Sequence, residues 1–91
     1  MQTAYFIYVL GCETARGWQT YVGWTTDLDT RLKRHNTGMG AKSTRGRQWA
    51  ILYAERHPTR HDAMSREWHV KRDRAFRKSL WPAGAQGEKC G

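Results

Sequence analysis

The chain has 91 residues, with 16 Lys and Arg against 8 Asp and Glu, so its net charge is +8. This length predicts one domain, and so large a positive excess favours a polyanionic partner over charge that serves only solubility. The sequence argues against a membrane protein, because it contains no run of about 18 apolar residues, and against a zinc site or disulfide framework, because neither Cys12 nor Cys90 belongs to a CxxC motif.

The N-terminal part of the chain predicts a β-hairpin. Residues 4–10, AYFIYVL, form a short apolar run rich in aromatic and β-branched side chains, and residues 18–24, WQTYVGW, alternate with the period of a strand. The segment 11–17 has Gly at both ends and is predicted to form a longer hairpin loop. Antiparallel pairing could bring Tyr8 and Tyr21 near each other; the alternative is that both are ordinary sheet aromatics.

A helix is predicted after the hairpin. Thr26 is the expected N-cap, with Asp29 three residues further on as a capping partner. Asn36 and Gly38 supply the signals that end the helix.

The rest of the chain predicts a basic loop at 37–48, a third strand at 49–55 and a second helix over 60–74, capped by Thr59, that either continues or breaks before residue 75. The order ββαβαα indicates an α+β fold, a small three-stranded antiparallel sheet flanked by two to three helices. We expect residues 1–81 to form the domain and residues 82–91 to form a flexible C-terminal tail.

Two polar side chains of the first helix lie beside its apolar stripe. At about 100° per residue, Leu32 falls about 40° from Leu28, while His35 and Arg31 fall at about −20° and −60°. Arg31 and His35 are therefore neighbours that could share one anion. The alternative is a snorkelling arginine and a histidine that caps the helix end.

The second helix carries a carboxylate within its apolar arc. With Ala63 at 0°, Val70 lies near −20° and Glu67 near 40° by the same count of about 100° per residue. An ionised carboxylate there is costly unless a cation compensates it. Two explanations stay open, a metal ligand or an ion pair with Arg66, Lys71 or Arg31.

Other chemistry finds little support in the sequence. No GxxxxGK[ST], GxGxxG, HExxH or GxSxG motif occurs, and Ser65 lacks a placed base. The spacing of His57, His61 and His69 favours surface histidines over a metal cluster.

Together these residues resemble the GIY-YIG nuclease superfamily. FIY at 6–8 and YVG at 21–23 are similar to its paired signatures, and TTDLDTRLKRHN at 25–36 and SREW at 65–68 complete the pattern. The similarity extends over roughly 4–80 and is greatest to the small single-domain bacterial branch, which is similar to the nuclease module of structure-specific DNA-resolving endonucleases.

The resemblance implies roles by position. Tyr8 and Tyr21 match the two signature tyrosines, Arg31 the helix arginine, His35 the histidine four residues on, and Glu67 the metal-binding carboxylate. It implies an endonuclease that depends on Mg²⁺ or Mn²⁺ and hydrolyses phosphodiester bonds in DNA repair, recombination or processing. One of the two tyrosines would act as general base, and His35 would assist or orient it. Phe6 stands where the first signature has glycine, and no Asn follows Glu67.

The basic side chains are predicted to contact phosphates rather than to read bases; they are Lys42, Arg45, Arg47, Arg34 and Lys71. We expect single-stranded or branched DNA as the partner, in the cytoplasm of a bacterium, with RNA, a homodimer or a protein partner left open. The alternative is a catalytically weak or inactive nucleic-acid-binding module that needs a partner, which the small size and the missing Asn favour.

Overall fold

A computed structural model of the chain describes residues 3–40, 42–44 and 46–82. The strands make an antiparallel sheet in which the first strand is central, flanked by the second and third. The elements in chain order are β1 (Tyr5–Thr14), β2 (Gly17–Thr25), α1 (Leu28–Asn36), a short 3-10 helix (Lys42–Thr44), β3 (Ala50–His57), α2 (Arg60–Arg72) and α3 (Arg74–Ser79). The predicted α+β fold with its ββαβαα order is thereby confirmed.

The hairpin is tighter than the sequence predicted. β1 continues to Thr14 and β2 begins at Gly17, so the turn between them consists of residues 15 and 16. The hydroxyl of Thr14 donates to the carbonyl oxygen of Gly17 over 2.7 Å and closes the turn. The predicted longer loop at 11–17 was wrong because Gly11 and Cys12, both buried, still pair within the sheet.

Of the two predicted N-caps, the structure confirms the one of the second helix and shows that the one of the first helix was wrong. The N-cap of α1 is Asp27, whose carboxylate accepts from the backbone N–H of Thr30 at 3.1 Å, so the predicted cap Thr26 was wrong. Thr59 caps α2 as predicted. Asp73 ends that helix and caps α3, so the predicted second helix breaks there.

A core forms on each face of the sheet. α2 covers one face, where the buried residues are Ile7, Val9, Val22, Ala63 and Val70. α1 covers the other, where Leu28 and Leu32 pack against Tyr8, Leu10, Cys12 and Trp49. Alternate residues of β1 serve opposite faces, as the period of a strand requires. Because β2 lies at an edge of the sheet, side chains from both helical layers can meet around that edge.

No helix within 3–40, 42–44 and 46–82 is long and apolar enough to cross a membrane. Residues 83–91 of the predicted tail lie outside the part of the chain that the structure describes.

Candidate active site

The phenol ring of Tyr8 lies across the neighbouring strand. Tyr8 pairs with Gly23 in the register of β1 and β2. A Cβ atom on Gly23 would lie 2.5 Å from Tyr8 Oη and 2.7 Å from its Cζ, closer than non-bonded atoms allow. The glycine of YVG therefore leaves the space through which the Tyr8 side chain reaches the outer edge of β2.

His35 is buried behind that phenol, with 1% of its surface exposed. Its Nε2 lies 3.1 Å from Tyr8 Oη, and its Nδ1 lies 2.8 Å from Thr44 Oγ1, so both ring nitrogens are hydrogen-bonded. A Cβ atom on Gly40 would stand 2.6 Å from Nδ1, so glycine lets the loop pass closely over the ring. The alternative of a histidine that merely caps the helix end was wrong, because the side chain points into the fold.

The pKa values of this pair are displaced in opposite directions. Burial, followed by the neighbouring Tyr21, raises the pKa of Tyr8 well above its ordinary value of 10.0, while the Arg31 guanidinium opposes the rise and Glu67 adds to it. Burial, followed by Arg31, lowers the pKa of His35 below 6.5. At neutral pH the pair is therefore a phenol and an uncharged imidazole.

Tyr21 completes a cluster of three rings. Its ring centroid lies 6.4 Å from that of Tyr8 and 4.9 Å from that of His35. Tyr21 is half-buried, whereas Tyr8 is 2% exposed. Tyr21 therefore forms the solvent side of the cluster.

An open cavity of about 390 Å³ lies at the β2 edge. Four of the five predicted catalytic residues line it, and they come from both layers of the fold. They are Tyr8 from β1, Tyr21 from β2, Arg31 from α1 and Glu67 from α2. His35, the fifth, lies behind Tyr8 and reaches the cavity through its hydrogen bond to the Tyr8 hydroxyl.

Glu67 is the carboxylate of this cavity. Its side chain is 18% exposed, and Oε2 lies 3.4 Å from Nζ of Lys71 one helical turn away. Among the described residues, no group of three or more His, Cys, Asp and Glu side chains comes together. A lone carboxylate beside phenol oxygens fits a hard cation such as Mg²⁺, which keeps several waters and takes few protein ligands. Glu67 is therefore the residue that could hold such an ion.

Four of the five residues predicted to contact nucleic acid are described by the structure, and none of these four lines the cavity. Lys42 is exposed, Arg34 is exposed with Nη2 3.5 Å from the Met39 carbonyl oxygen, and Arg47 donates from Nη1 to Gln19 Oε1 at 2.7 Å. Lys71 pairs with Glu67 instead of standing alone. Arg45 lies outside the described residues.

Sequence reasoning missed several residues of the site. Trp24, Thr25 and Thr26 also line the cavity, and Thr44, buried in the short 3-10 helix, holds His35 in place. The position of the first three directly after YVG was a usable signal, because Trp24 and Thr25 end the strand that carries Tyr21 and Thr26 follows it. Thr44 had none, since its contact depends on the path of the loop. His57 also differs from its predicted surface position, since it is half-buried with Nε2 3.6 Å from Glu55.

The chain is similar to known proteins over most of its length. A family model described as the GIY-YIG catalytic domain matches residues 4–79. A UPF0213 protein of Clostridium perfringens is 40% identical over 68 residues, 74% of this chain and 70% of that one. A UPF0213 protein of Oceanobacillus iheyensis is 37% identical over 79 residues, 86% of this chain and 88% of that one. The solution NMR structure of a UPF0213 protein of Bacillus halodurans matches 93% of this chain and 87% of that chain, at 34% identity and a TM-score of 0.47.

Proposed function

Because the chain belongs to the GIY-YIG family, whose catalytic domain is a nuclease-type fold, we propose that it is a cytoplasmic endonuclease that needs a divalent metal and hydrolyses phosphodiester bonds in single-stranded or branched DNA. Its place would be in DNA repair, recombination or processing. The observation that carries the proposal is the single cavity lined by two phenols, a guanidinium and a carboxylate. These groups can supply the proton acceptor, the phosphate-binding cation and the metal ligand that the hydrolysis needs.

Tyr8 is the proposed general base, and His35 is its partner. The attacking water gives a proton to the Tyr8 oxygen as the phenol proton passes to Nε2 of the uncharged imidazole, 3.1 Å away. The raised pKa of Tyr8 means that phenolate is scarce beforehand, so the two transfers must be coupled. Thr44 Oγ1, 2.8 Å from Nδ1, then accepts the N–H on the other side of the ring and holds its orientation.

Arg31 binds the scissile phosphate in this proposal. Its guanidinium lines the cavity and already acts on both Tyr8 and His35 through its charge. A planar fork of donors suits two non-bridging phosphate oxygens, and the same positive charge favours the Tyr8 oxygen as it gains negative character. Lysine would preserve the charge at this position but lose the fork.

Glu67 would hold the metal, Mg²⁺ or Mn²⁺. When bound, such an ion supplies Lewis-acid stabilisation of the negative charge on the phosphate and on the departing 3′ oxygen. Glu67 lines the same cavity as Arg31 and Tyr8, so a phosphate bound there would be within the influence of the guanidinium and of an ion held by the carboxylate. The water oxygen bonds to phosphorus, the bond to the 3′ oxygen breaks, and that oxygen takes a proton from solvent.

The test is cleavage of labelled oligonucleotides in Mg²⁺ or Mn²⁺, with single strands, duplexes, flaps and junctions as substrates. We expect Glu67→Ala and Glu67→Gln to lose about 1,000-fold or more in rate, as loss of a main electrostatic stabiliser does. Asp62→Ala is the matched control, because it removes an exposed carboxylate from the same helix. EDTA should stop the wild-type reaction. Cleavage that survives in either Glu67 variant contradicts the metal role.

The second candidate is a nucleic-acid-binding module with weak or no activity of its own. The ion pair between Glu67 and Lys71 favours it, since a paired carboxylate is less available to a metal. Lys71→Ala distinguishes the two candidate functions. It frees the Glu67 carboxylate from its ion pair, so it should raise the apparent metal affinity if the protein is a nuclease. A wild-type protein that binds every substrate and cleaves none, with either metal, supports the binding module.

A further inference from the structure

The candidate active site continues into further cavities along β2. The cavity beside it, about 370 Å³, is also lined by Tyr21 and extends to Lys71 and Arg77. A third cavity, about 290 Å³, shares the lining residues Thr20 and Arg77 with the second cavity. Its other lining residues come mainly from the hairpin turn and α3. Because successive cavities share lining residues, they lie next to one another along β2, from the catalytic cavity to α3. We call the far end the distal groove, lined by Arg16, Trp18, Arg74, Arg77, Lys78 and Trp81.

The distal groove is strongly positive. Four of its six named residues are Lys or Arg, one from the hairpin turn and three from α3. The ion pairs within 3–40, 42–44 and 46–82 involve Glu55 and Glu67, and none includes these four side chains. Asp73, the neighbouring carboxylate in sequence, is engaged as the N-cap of α3 by the N–H of Phe76 at 3.0 Å. The charge of the groove is therefore available to an anionic ligand.

Two tryptophans give the distal groove a second property. Trp18 and Trp81 are both half-buried and line the same cavity, and the ammonium of Lys78 lies 5.9 Å from the Trp81 ring centroid. Grooves that combine cations along a backbone path with indole faces bind single strands, because unpaired bases stack on the aromatic rings while the cations meet the phosphates. In a duplex the bases already stack on each other and cannot reach the indoles.

We propose that the distal groove binds an unpaired strand of nucleic acid that leaves the catalytic cavity past Tyr21 and follows β2 to α3. This rests on the proposed function, since it takes the catalytic cavity as the position of the scissile phosphate. It narrows the substrate to one with an unpaired segment on one side of the cut. It also places the main binding surface on α3 and the hairpin turn, not on the loop at 37–48.

Binding in EDTA tests the proposal without any cleavage. Fluorescence anisotropy compares a labelled single-stranded oligodeoxynucleotide, a blunt duplex of the same sequence and the matching oligoribonucleotide. The double variant Arg74→Ala/Arg77→Ala should weaken single-strand binding by about tenfold and lower the salt slope by about 1.4, because each phosphate that an arginine neutralises on a single strand accounts for about 0.7. The matched control is Lys33→Ala/Arg56→Ala, which removes two exposed cations on α1 and β3 outside the groove. It should change the single-strand affinity by less than about twofold.

Several results decide against the groove. An equal loss of affinity in both double variants means that only net charge matters, and an equal loss for duplex and single strand means that the groove has no preference for unpaired bases. If the α3 variant does not fold by circular dichroism, Arg16→Ala in the hairpin turn takes its place, and an unchanged single-strand affinity there overturns the proposal. The ribonucleotide probe decides whether the groove accepts both kinds of strand.

Trp18 gives an independent test of stacking. Trp18→Ala should weaken single-strand binding by about tenfold while Trp18→Phe retains most of it, because phenylalanine still offers a ring face. Both variants should leave the duplex affinity unchanged. A folded Trp18→Ala protein that binds the single strand as tightly as wild type overturns the stacking. If the protein cleaves DNA with a metal but the groove variants bind the single strand as tightly as wild type, only this inference is wrong. If the groove variants bind the single strand more weakly but the wild-type protein cleaves nothing, only the proposed function is wrong.

Discussion

Tyr8 and Tyr21 carry the same functional group in different surroundings. Tyr8 is almost fully buried and hydrogen-bonded to His35, whereas Tyr21 is half-buried and touches both rings from the solvent side. A base must pass on the proton that it accepts, and His35 is within reach of Tyr8 for that purpose. In the proposed mechanism this difference favours Tyr8 as the base and leaves Tyr21 to bind or orient the substrate.

Removal of each hydroxyl in turn tests that assignment. Tyr8→Phe should lower the single-turnover cleavage rate by about 100-fold or more, as loss of a general base does, while Tyr21→Phe loses less than about tenfold. Tyr8→Phe also leaves His35 Nε2 without its partner, which costs about 1 kcal/mol in the free energy of unfolding. Urea unfolding of both variants separates that cost from the rate effect. A larger rate loss in Tyr21→Phe would reverse the two roles.

His35 should make the stability of the fold depend on pH. Its pKa is lower in the folded protein than the ordinary 6.5, so between the two values the unfolded state binds more protons. The stability that the uncharged imidazole contributes is complete above 6.5 and is lost as pH falls through the folded value. We expect the free energy of unfolding, measured with urea from about pH 8 down to about pH 5, to decline over this window. His35→Gln should decline less, and His61→Gln, at an exposed position, should follow wild type.

At the scale of the elements, α1 depends on how its first turn is capped. Asp27 accepts from the N–H and the hydroxyl of Thr30, at 3.1 and 2.9 Å, and these bonds lower the pKa of its carboxyl. Asp27→Ala should therefore lower the Tm and fray the helix that carries Arg31. Thr26→Ala, one residue earlier, should leave the Tm unchanged, because its side chain is not the cap. A larger Tm loss in Thr26→Ala would contradict the observed cap.

The periodicity of α1 and α2 predicted their buried faces, whereas local signals at their ends were less reliable. His35, Ala63 and Val70 are buried on the faces that a count of about 100° per residue assigned to them. The N-cap of α1 was misplaced because Thr26 and Asp27 are both residue types that cap helices well. The hairpin turn was misplaced because Gly11 can pair within a strand as readily as it can form a turn. Where neighbouring residues have similar propensities for a cap or a turn, only the register of the sheet determines which of them takes that position.

At the scale of the whole molecule, the site exists because β2 is an edge strand. Arg31 and Glu67 come from helices on opposite faces, and they share a cavity only where the sheet ends. The family resemblance groups these residues from the sequence alone, but residue spacing could not show that Tyr8 crosses Gly23 or that Lys71 pairs with Glu67. Those contacts depend on strand order and on side-chain rotamers. The distal groove escaped prediction because it joins Arg16 and Trp18 of the hairpin to the cations of α3, which are far away in sequence.

The surplus of positive charge should make nucleic-acid binding strongly dependent on salt. The loop at 37–48 and the distal groove should each contribute separately to that dependence. Each phosphate contact on a single strand contributes a slope of about −0.7 in log K against log salt, so several contacts lower the affinity by orders of magnitude between about 50 and 200 mM. Lys42→Ala/Arg47→Ala removes two exposed cations of the loop. It should reduce the slope by at most about 1.4 and leave the preference for single strands unchanged, since these side chains meet only phosphates. Anisotropy titrations in EDTA, with Lys33→Ala/Arg56→Ala as control, measure both quantities. If the loop variant abolished the single-strand preference while α3 variants kept it, the strand would follow the loop and not β2.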